Sequence, residues 1–189
     1  PKMGLYFKLN NQNQFYVSYS RAHREPTRTD YENGNPFPEK LDDFELGWRF
    51  SNNSLNLNVN MYYMDYENQL VLTGEKDEVG YSIRSNVGES YRLGLELDAI
   101  FNINNKITLK PNFSISSNKN KNYFFEFDNE LKNFGNTDIS FSPNIIIGNS
   151  FEYSFNSGIK AFFNTKYVGK QFMSNTNDAS SLLSSFIVN

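Results

Sequence analysis

The chain has 189 residues, of which 38% are apolar and 16% are aromatic, and its net charge is -3. This aromatic content excludes a disordered chain, and the length permits one domain with a sizeable core. The 18 basic and 21 acidic residues are scattered singly. The sequence therefore contains no basic stripe of the kind that binds nucleic acid. No run approaches the roughly 18 apolar residues of a membrane helix, which excludes a helical membrane protein.

Apolar and polar residues alternate with period two along most of the chain, which predicts strands. The apolar faces of these strands contain Phe15, Val17 and Tyr19; Phe44, Leu46, Trp48 and Phe50; Leu55, Leu57, Val59 and Met61; Tyr91, Leu93, Leu95 and Leu97; Ile107, Leu109, Phe113 and Ile115; and Ile139, Phe141, Ile145, Ile147 and Phe151. About nine strand segments result. Two of them are long, Leu55 to Leu72 and Arg84 to Phe101. Pro111 and Pro143 each predict a bulge, because proline lacks the N–H of a sheet ladder.

The connections between these strands alternate between short and long. The short ones are Asn10 to Asn13, Ser51 to Ser54, Asn102 to Asn105 and Phe155 to Ser157; the long ones are His23 to Lys40, Gly74 to Ser82, Asn118 to Thr137 and Ser174 to Ser180. A soluble β-sandwich also alternates along each strand. Long strands with unequal connections instead favour an all-β, antiparallel, up-and-down transmembrane β-barrel, with short periplasmic turns and longer extracellular loops.

Several motifs follow one another in an order that resembles one family. They are Pro38-Glu39-Lys40-Leu41, Glu45-Leu46-Gly47, Tyr66-Glu67-Asn68-Gln69-Leu70, Asn86-Val87-Gly88 and Gly94-Leu95-Glu96. This order is similar to the C-terminal part of the barrel of TonB-dependent outer-membrane receptors. The individual motifs most resemble those of receptors from Bacteroidetes-type bacteria. The resemblance covers essentially the whole chain.

The resemblance implies what the molecule around this chain does. Residues 1–189 are expected to supply about nine strands of a probable 22-stranded barrel, with the plug domain and the TonB box absent from the chain. The implied function is active import of a scarce nutrient (an iron-siderophore, haem, cobalamin or a glycan) across the outer membrane of a Gram-negative cell with TonB-supplied energy. The expected partners are outer-membrane lipid, lipopolysaccharide, the plug, TonB indirectly and the small-molecule or glycan ligand. A small passive pore or adhesin barrel is the alternative.

Candidate ligand-binding residues cluster at the start of the first long loop. Guanidinium groups recognise carboxylates and catecholates bidentately, and a tyrosine ring can stack on a ligand. The residues are Arg21, His23, Arg24, Arg28 and Tyr31. Arginines at a barrel rim also bind lipopolysaccharide phosphate or pair with nearby carboxylates, so both roles stay open.

Four charged residues are expected to face the lumen and the plug, because they lie on the polar faces of their strands: Arg49, Arg92, Glu96 and Asp98. Glu96 and Asp98 superficially resemble an acid–base carboxylate pair, but a lumen-facing role suits them better. A single histidine and no cysteine give no metal site, and no cofactor fingerprint occurs. The sequence therefore predicts a transport protein without a cofactor and not an enzyme.

Overall fold

The computed structural model describes residues 1–32, 34–127 and 130–189, without the side chains of residues 72–75, 125–127, 130 and 131. Most of it is antiparallel strand. The strands are β1 (Lys2–Lys8), β2 (Asn13–Arg24), β3 (Glu39–Ser51), β4 (Leu55–Glu67), β5 (Leu70–Lys76), β6 (Ser82–Asn86), β7 (Glu89–Asn102), β8 (Ile107–Phe127), β9 (Glu130–Asp138), β10 (Ile145–Ser154), β11 (Lys160–Val168), β12 (Gln171–Phe172), β13 (Leu182–Leu183) and β14 (Phe186–Val188). The helix α1 (Arg28–Glu32) and a 3₁₀ turn (Ala179–Ser181) complete the elements.

One large sheet forms the wall, in the order β1-β2-β3-β4-β7-β8-β10-β11-β14, and β9 also pairs with β8. Every pairing is antiparallel and each strand lies beside its neighbour along the chain, apart from the small sheets β5-β6 and β12-β13. The predicted all-β, antiparallel, up-and-down architecture is therefore confirmed. No helix within the described ranges is long and apolar enough to span a bilayer.

Three of the short turns are built on the same plan, with an asparagine side chain folding the backbone. Asn10 Oδ1 accepts hydrogen bonds from the N–H groups of the second and third residues after it, at 2.9 and 2.8 Å. Asn52 and Asn104 do the same. Such Asx turns reverse a chain without help from its surroundings, which is why the sequence predicts these turns well.

The wall has an apolar outer face and a polar inner face. Adjacent outer residues on paired strands include Val17, Leu46, Met61, Leu95 and Ile115, and each of them is between 38% and 51% exposed. Exposed apolar bands of this extent mark a surface that meets another phase or partner. In a transmembrane barrel that surface is the one facing the lipid chains.

Tyrosine rings cover glycines on the inner face. Tyr16 pairs with Gly47 and Tyr62 with Gly94 across adjacent strands. A Cβ atom on Gly47 would lie 2.0 Å from Cε1 of Tyr16, and one on Gly94 would lie 2.5 Å from Cζ of Tyr62. Only glycine leaves room for a ring lying flat across the neighbouring strand.

Both of the long predicted strands are interrupted. β4 ends at Glu67 and β5 begins at Leu70, because Asn68 takes a left-handed φ of 55°. Gly88, with φ 77°, breaks the returning strand before β7. Leu55 to Leu72 and Arg84 to Phe101 are thus not continuous, and the hairpin β5-β6 leaves the large sheet.

The prediction of a long link from Asn118 to Thr137 was wrong. β8 continues to Phe127 and pairs with β9, so the hairpin extends the wall beyond β7 and β10; Asp128 and Asn129 lie outside the described residues. Pro143 produces no simple bulge but lies in a segment, residues 139–144, that leaves the wall between β9 and β10. Pro111 causes no shift of register, because the pairs on both sides of it keep the same alignment.

Candidate functional site

A cavity of about 370 Å³ lies against the inner face of the wall. Its lining mixes charged, amide, hydroxyl and aromatic side chains: Glu45, Asn60, Tyr62, Met64, Arg92, Glu96, Ser114, Ser116, Asn118, Phe141, Ser142, Pro143 and Ile146. Four adjacent strands (β3, β4, β7 and β8) supply its floor, because their inward positions lie in register. Ligand sites combine apolar side chains with convergent polar groups, and this lining contains both kinds.

The segment 139–144, which we call the inner bend, forms one side of this cavity. Ser142 Oγ accepts a hydrogen bond from Arg92 Nη1 at 3.2 Å and donates one to Ser140 O at 3.1 Å. Arg92 lies on β7, which β8 separates from β10. The inner bend therefore crosses the inner face of β8 to reach Arg92.

A second segment, residues 171–181, lies against the inner bend, and we call it the strap. Asn177 accepts from the N–H of Asp138 at 2.5 Å and donates to the carbonyl of Asp138 at 2.8 Å. Asn175 Oδ1 accepts from Ser140 N at 2.9 Å and from Asn120 Nδ2 at 3.4 Å. Side-chain amides here replace the partner strand that backbone groups after β9 would otherwise need.

The first long loop docks on the hairpin β5-β6. Asp30, which is 2% exposed, accepts hydrogen bonds from the N–H and Oγ1 of Thr27, both at 2.7 Å, and faces Arg84 Nη1 at 3.4 Å. Asn86 joins the same two loops, because it accepts from Phe37 N at 2.7 Å and donates to Phe37 O at 3.0 Å. These contacts tie the first long loop and the hairpin β5-β6 into one unit.

Asp30 predicts a pH dependence of this docking. Burial raises the pKa of its carboxyl, but the Thr27 hydrogen bonds and the Arg84 charge outweigh burial and lower the pKa below the ordinary value of 3.8. Ionised Asp30 thus stabilises the loop above a pH of about 4, and this stabilisation is lost as the pH falls through the folded pKa. We expect Asp30→Asn to speed hydrogen exchange of residues 27–32 at neutral pH.

The matched control for this change is Glu32→Gln, since Glu32 pairs with Arg28 on the exposed side of α1, where an ion pair contributes little. Equal exchange in both variants would contradict a docking role for Asp30.

Charged residues form a belt on the outer face above the apolar band. Arg21 binds Asp42 with two hydrogen bonds, of 2.7 and 3.0 Å. Lys40 pairs with Glu67 at 2.9 Å, and Lys121 pairs with Asp65 at 3.1 Å. The belt lies directly above the rings of Tyr19, Phe44 and Tyr63.

The structure separates the five ligand residues that the sequence predicts. Arg21 and His23 lie on the outer side of β2, whereas Arg24 lies at an inward position of the same strand. Arg28 and Tyr31 are on α1, with Arg28 bound to Glu32 at 2.7 Å. No hydrogen bond or ion pair within the described ranges joins any two of these five residues.

The four residues expected at the lumen share one face. Arg49 lies on β3 over the ring of Tyr16, 5.0 Å from its centroid, while Arg92 and Glu96 line the cavity. Asp98 pairs in register with Asn58 and Asn112. No ion pair among the described residues involves any of these four, and no cluster of three or more metal-binding side chains occurs in the described part of the chain.

Sequence reasoning missed the inner bend and the strap. Phe141 reads as one more apolar strand position, although its φ of 52° turns it out of the wall. Pro143 was the one available signal, because it marks an interruption there. Nothing in the spacing of Asn175 and Asn177 indicates that they bind the end of β9 and the inner bend.

The chain matches a known protein family and resembles several solved structures. The family model "TonB dependent receptor-like, beta-barrel" matches residues 1–189, while no curated protein sequence matches. The siderophore receptor PiuA from Acinetobacter baumannii has a similar structure, with 19% identity, a TM-score of 0.77 and coverage of 98% of this chain and 28% of PiuA.

Two further solved structures resemble the chain. The ferric yersiniabactin uptake receptor FyuA from Yersinia pestis shows 15% identity and a TM-score of 0.73, over 98% of this chain and 28% of FyuA. The copper transporter OprC shows 15% identity and a TM-score of 0.71, over 99% and 29%. At these identities the likeness shows the fold, and the chain spans less than a third of each neighbour's length. Because the family model matches every residue, the chain belongs to the TonB-dependent receptor β-barrel family, a family of outer-membrane transport receptors and not of enzymes.

Proposed function

We propose that the receptor containing this chain imports a scarce nutrient through the outer membrane with energy supplied through TonB. The family match over residues 1–189 carries the proposal. The polar inner face and its cavity support it, because a lumen wall of this kind suits a water-filled or plugged passage. The names of similar structures include a siderophore receptor, a ferric yersiniabactin receptor and a copper transporter, so chelated metal is the first class of cargo to test.

The test is uptake by cells that carry or lack the full-length receptor. We expect the receptor to restore growth under metal limitation and uptake of a radiolabelled iron chelate, and we expect deletion of TonB to abolish both. Haem, cobalamin and oligosaccharides form the other arms of the panel. Uptake that continues at the same rate without TonB would overturn the proposal in favour of a passive pore.

The inner face is proposed to receive the plug domain through unpaired carboxylates. Glu45 and Glu96 both line the cavity, and neither forms an ion pair within the described ranges. Two carboxylates on a polar wall attract basic groups on a partner. Arg49 and Asp98, on the same face nearer the periplasmic turns, are proposed to contact the plug as well.

Loss of these carboxylates should loosen the plug. We expect the double variant Glu45→Gln, Glu96→Gln of the full-length receptor to admit large antibiotics that the parent excludes, measured as increased sensitivity of the cells. Glu89→Gln is the control, because Glu89 lies on the outer belt and is well exposed. Unchanged sensitivity in the double variant would argue against contact with the plug.

The outer face is proposed to meet lipid and lipopolysaccharide. An apolar groove lined by Leu5, Val17, Leu46, Met61 and Leu93 crosses it and fits acyl chains. The belt above offers Arg21, Lys40 and Lys121 to phosphate groups, in competition with the carboxylates that they already bind. Among the ligand candidates, His23 shares this outer side, whereas Arg24, Arg28 and Tyr31 remain proposed contacts for the imported ligand.

A further inference from the structure

The ring of Phe141 is held at the edge of the cavity by a strained backbone. Its φ of 52° lies in the left-handed region, which is unfavourable for a residue that carries a side chain. Packing of the ring does not offset this cost, because the side chain is 63% exposed. Strain of this kind persists only where neighbouring contacts impose it, and it concentrates at binding sites.

Contacts on both sides of Phe141 impose its conformation. The Phe141 N–H donates to Phe172 O of the strap at 2.8 Å, and the Ser140 N–H donates to Asn175 at 2.9 Å. On the other side, the Ser116 N–H of β8 donates to Asn144 O at 2.8 Å. The inner bend is therefore tied to the strap and to the wall through backbone and amide groups.

Arg92 supplies a positive charge to the cavity that Phe141 also lines. It donates to Ser142, the residue after Phe141, and its guanidinium lies 6.0 Å from the centroid of the Tyr66 ring. A guanidinium has five N–H donors, so donors remain for a ligand. Glu96 lies four residues further toward the periplasmic turn on β7, about 13 Å away along an extended strand. The cation therefore lies above this carboxylate, and Glu45, level with Gly94, lies between the two.

We propose that Phe141 and Arg92 form a subsite for a ring-bearing anion. An aromatic ring of the ligand stacks on Phe141, while a neighbouring carboxylate or phenolate oxygen accepts hydrogen bonds from the Arg92 guanidinium. Ser142 and Asn118 flank this position and offer further polar contacts. The inference rests on the proposed function, because it names the chemical class of the ligand that the receptor would take up.

The test measures binding to the purified full-length receptor by calorimetry. The ring-bearing probes are the ferric complex of 2,3-dihydroxybenzoate and haem. The probes without an aromatic ring are the ferric complex of acetohydroxamate and maltohexaose. We expect at least one ring-bearing probe to bind, and we expect Phe141→Gly to weaken that binding about tenfold. Arg92→Gln should weaken it as well.

The choice of glycine separates loss of the ring from loss of the fold. Glycine adopts a φ of 52° without strain, so the inner bend should keep its place and the urea midpoint should not fall. Phe141→Tyr keeps an aromatic ring at this position and should bind the probe as the parent does. Phe163→Leu is the matched control, because Phe163 is an exposed ring on the opposite, outer face.

Three results would overturn the subsite: neither ring-bearing probe binds, Phe141→Gly binds a ring-bearing probe as tightly as the parent, or Phe163→Leu weakens binding equally. These results leave the proposed function to the separate uptake assay. A receptor that imports only maltohexaose through TonB would refute the subsite and uphold the function. Uptake that does not depend on TonB, together with ring-bearing probes that bind through Phe141, would uphold the subsite and refute the proposed function.

Discussion

Replacing Gly47 by alanine should destabilise the barrel by about 1–3 kcal/mol. The new Cβ would lie 2.0 Å from Cε1 and 2.1 Å from Cζ of Tyr16, so the ring must leave its place over the glycine. Its hydroxyl would then lose the hydrogen bond to Asn60 at 3.0 Å, and Arg49 would lose the ring beneath it. The measurement is the urea midpoint of the full-length receptor in detergent micelles.

Gly4→Ala is the matched control, because a Cβ on Gly4 meets nothing closer than 3.4 Å and should leave the midpoint nearly unchanged. Combining Gly47→Ala with Tyr16→Ala tests the cause. If the clash is with the ring, the double variant should lose less stability than the sum of the two single losses. Additive losses would show that the Tyr16 ring is not the obstacle.

Replacing Asn175 by alanine should release the strap from the wall. Asn175 Oδ1 accepts from Ser140 N and from the fully buried Asn120. Without the Asn175 side chain, Ser140 N and Asn120 Nδ2 each lose one hydrogen-bond acceptor. A buried donor left without a partner lowers the stability of the fold by about 1–3 kcal/mol. We expect residues 138–144 to exchange amide hydrogens much faster, as measured by hydrogen exchange with mass spectrometry on the full-length receptor.

Thr176→Ala provides the comparison for this change, because its hydroxyl bonds only within the strap and its loss should leave the inner bend protected. Protection of residues 138–144 that survives Asn175→Ala would mean that the backbone bond between Phe141 and Phe172 holds the bend without the side chain.

Most of the wall is predictable because its signals are local. Alternation along a strand fixes which residues share a face, and Val17, Leu46 and Met61 lie on the outer side as the pattern predicts. The short turns follow from one asparagine each, Asn10, Asn52 and Asn104, which folds the chain through its own side chain. Charged residues such as Arg92 and Glu96 fall on the inner face for the same periodic reason.

The rest depends on contacts between residues distant in sequence. Asp30 is buried because Arg84, 54 residues later, faces it. Phe141 leaves the wall because Phe172 and Asn175 bind the chain around it. Asn68 breaks a long run of strand-forming residues through a left-handed φ, and its carbonyl accepts a hydrogen bond from Asn86 of β6. Periodicity carries no information about such pairs, so both the cavity and the docked loops escape it.

The inner bend also divides the wall into two parts with different freedom to change. Below it, β8 and β10 pair across the bilayer, and their length is set by the thickness of the membrane. Above it, β8 pairs with β9 in a hairpin whose upper end is not limited by that thickness. Insertions or deletions of two residues per strand would preserve inside and outside there. The hairpin can therefore change in height while the membrane-crossing register stays constant, which makes it a suitable place for grafted epitopes.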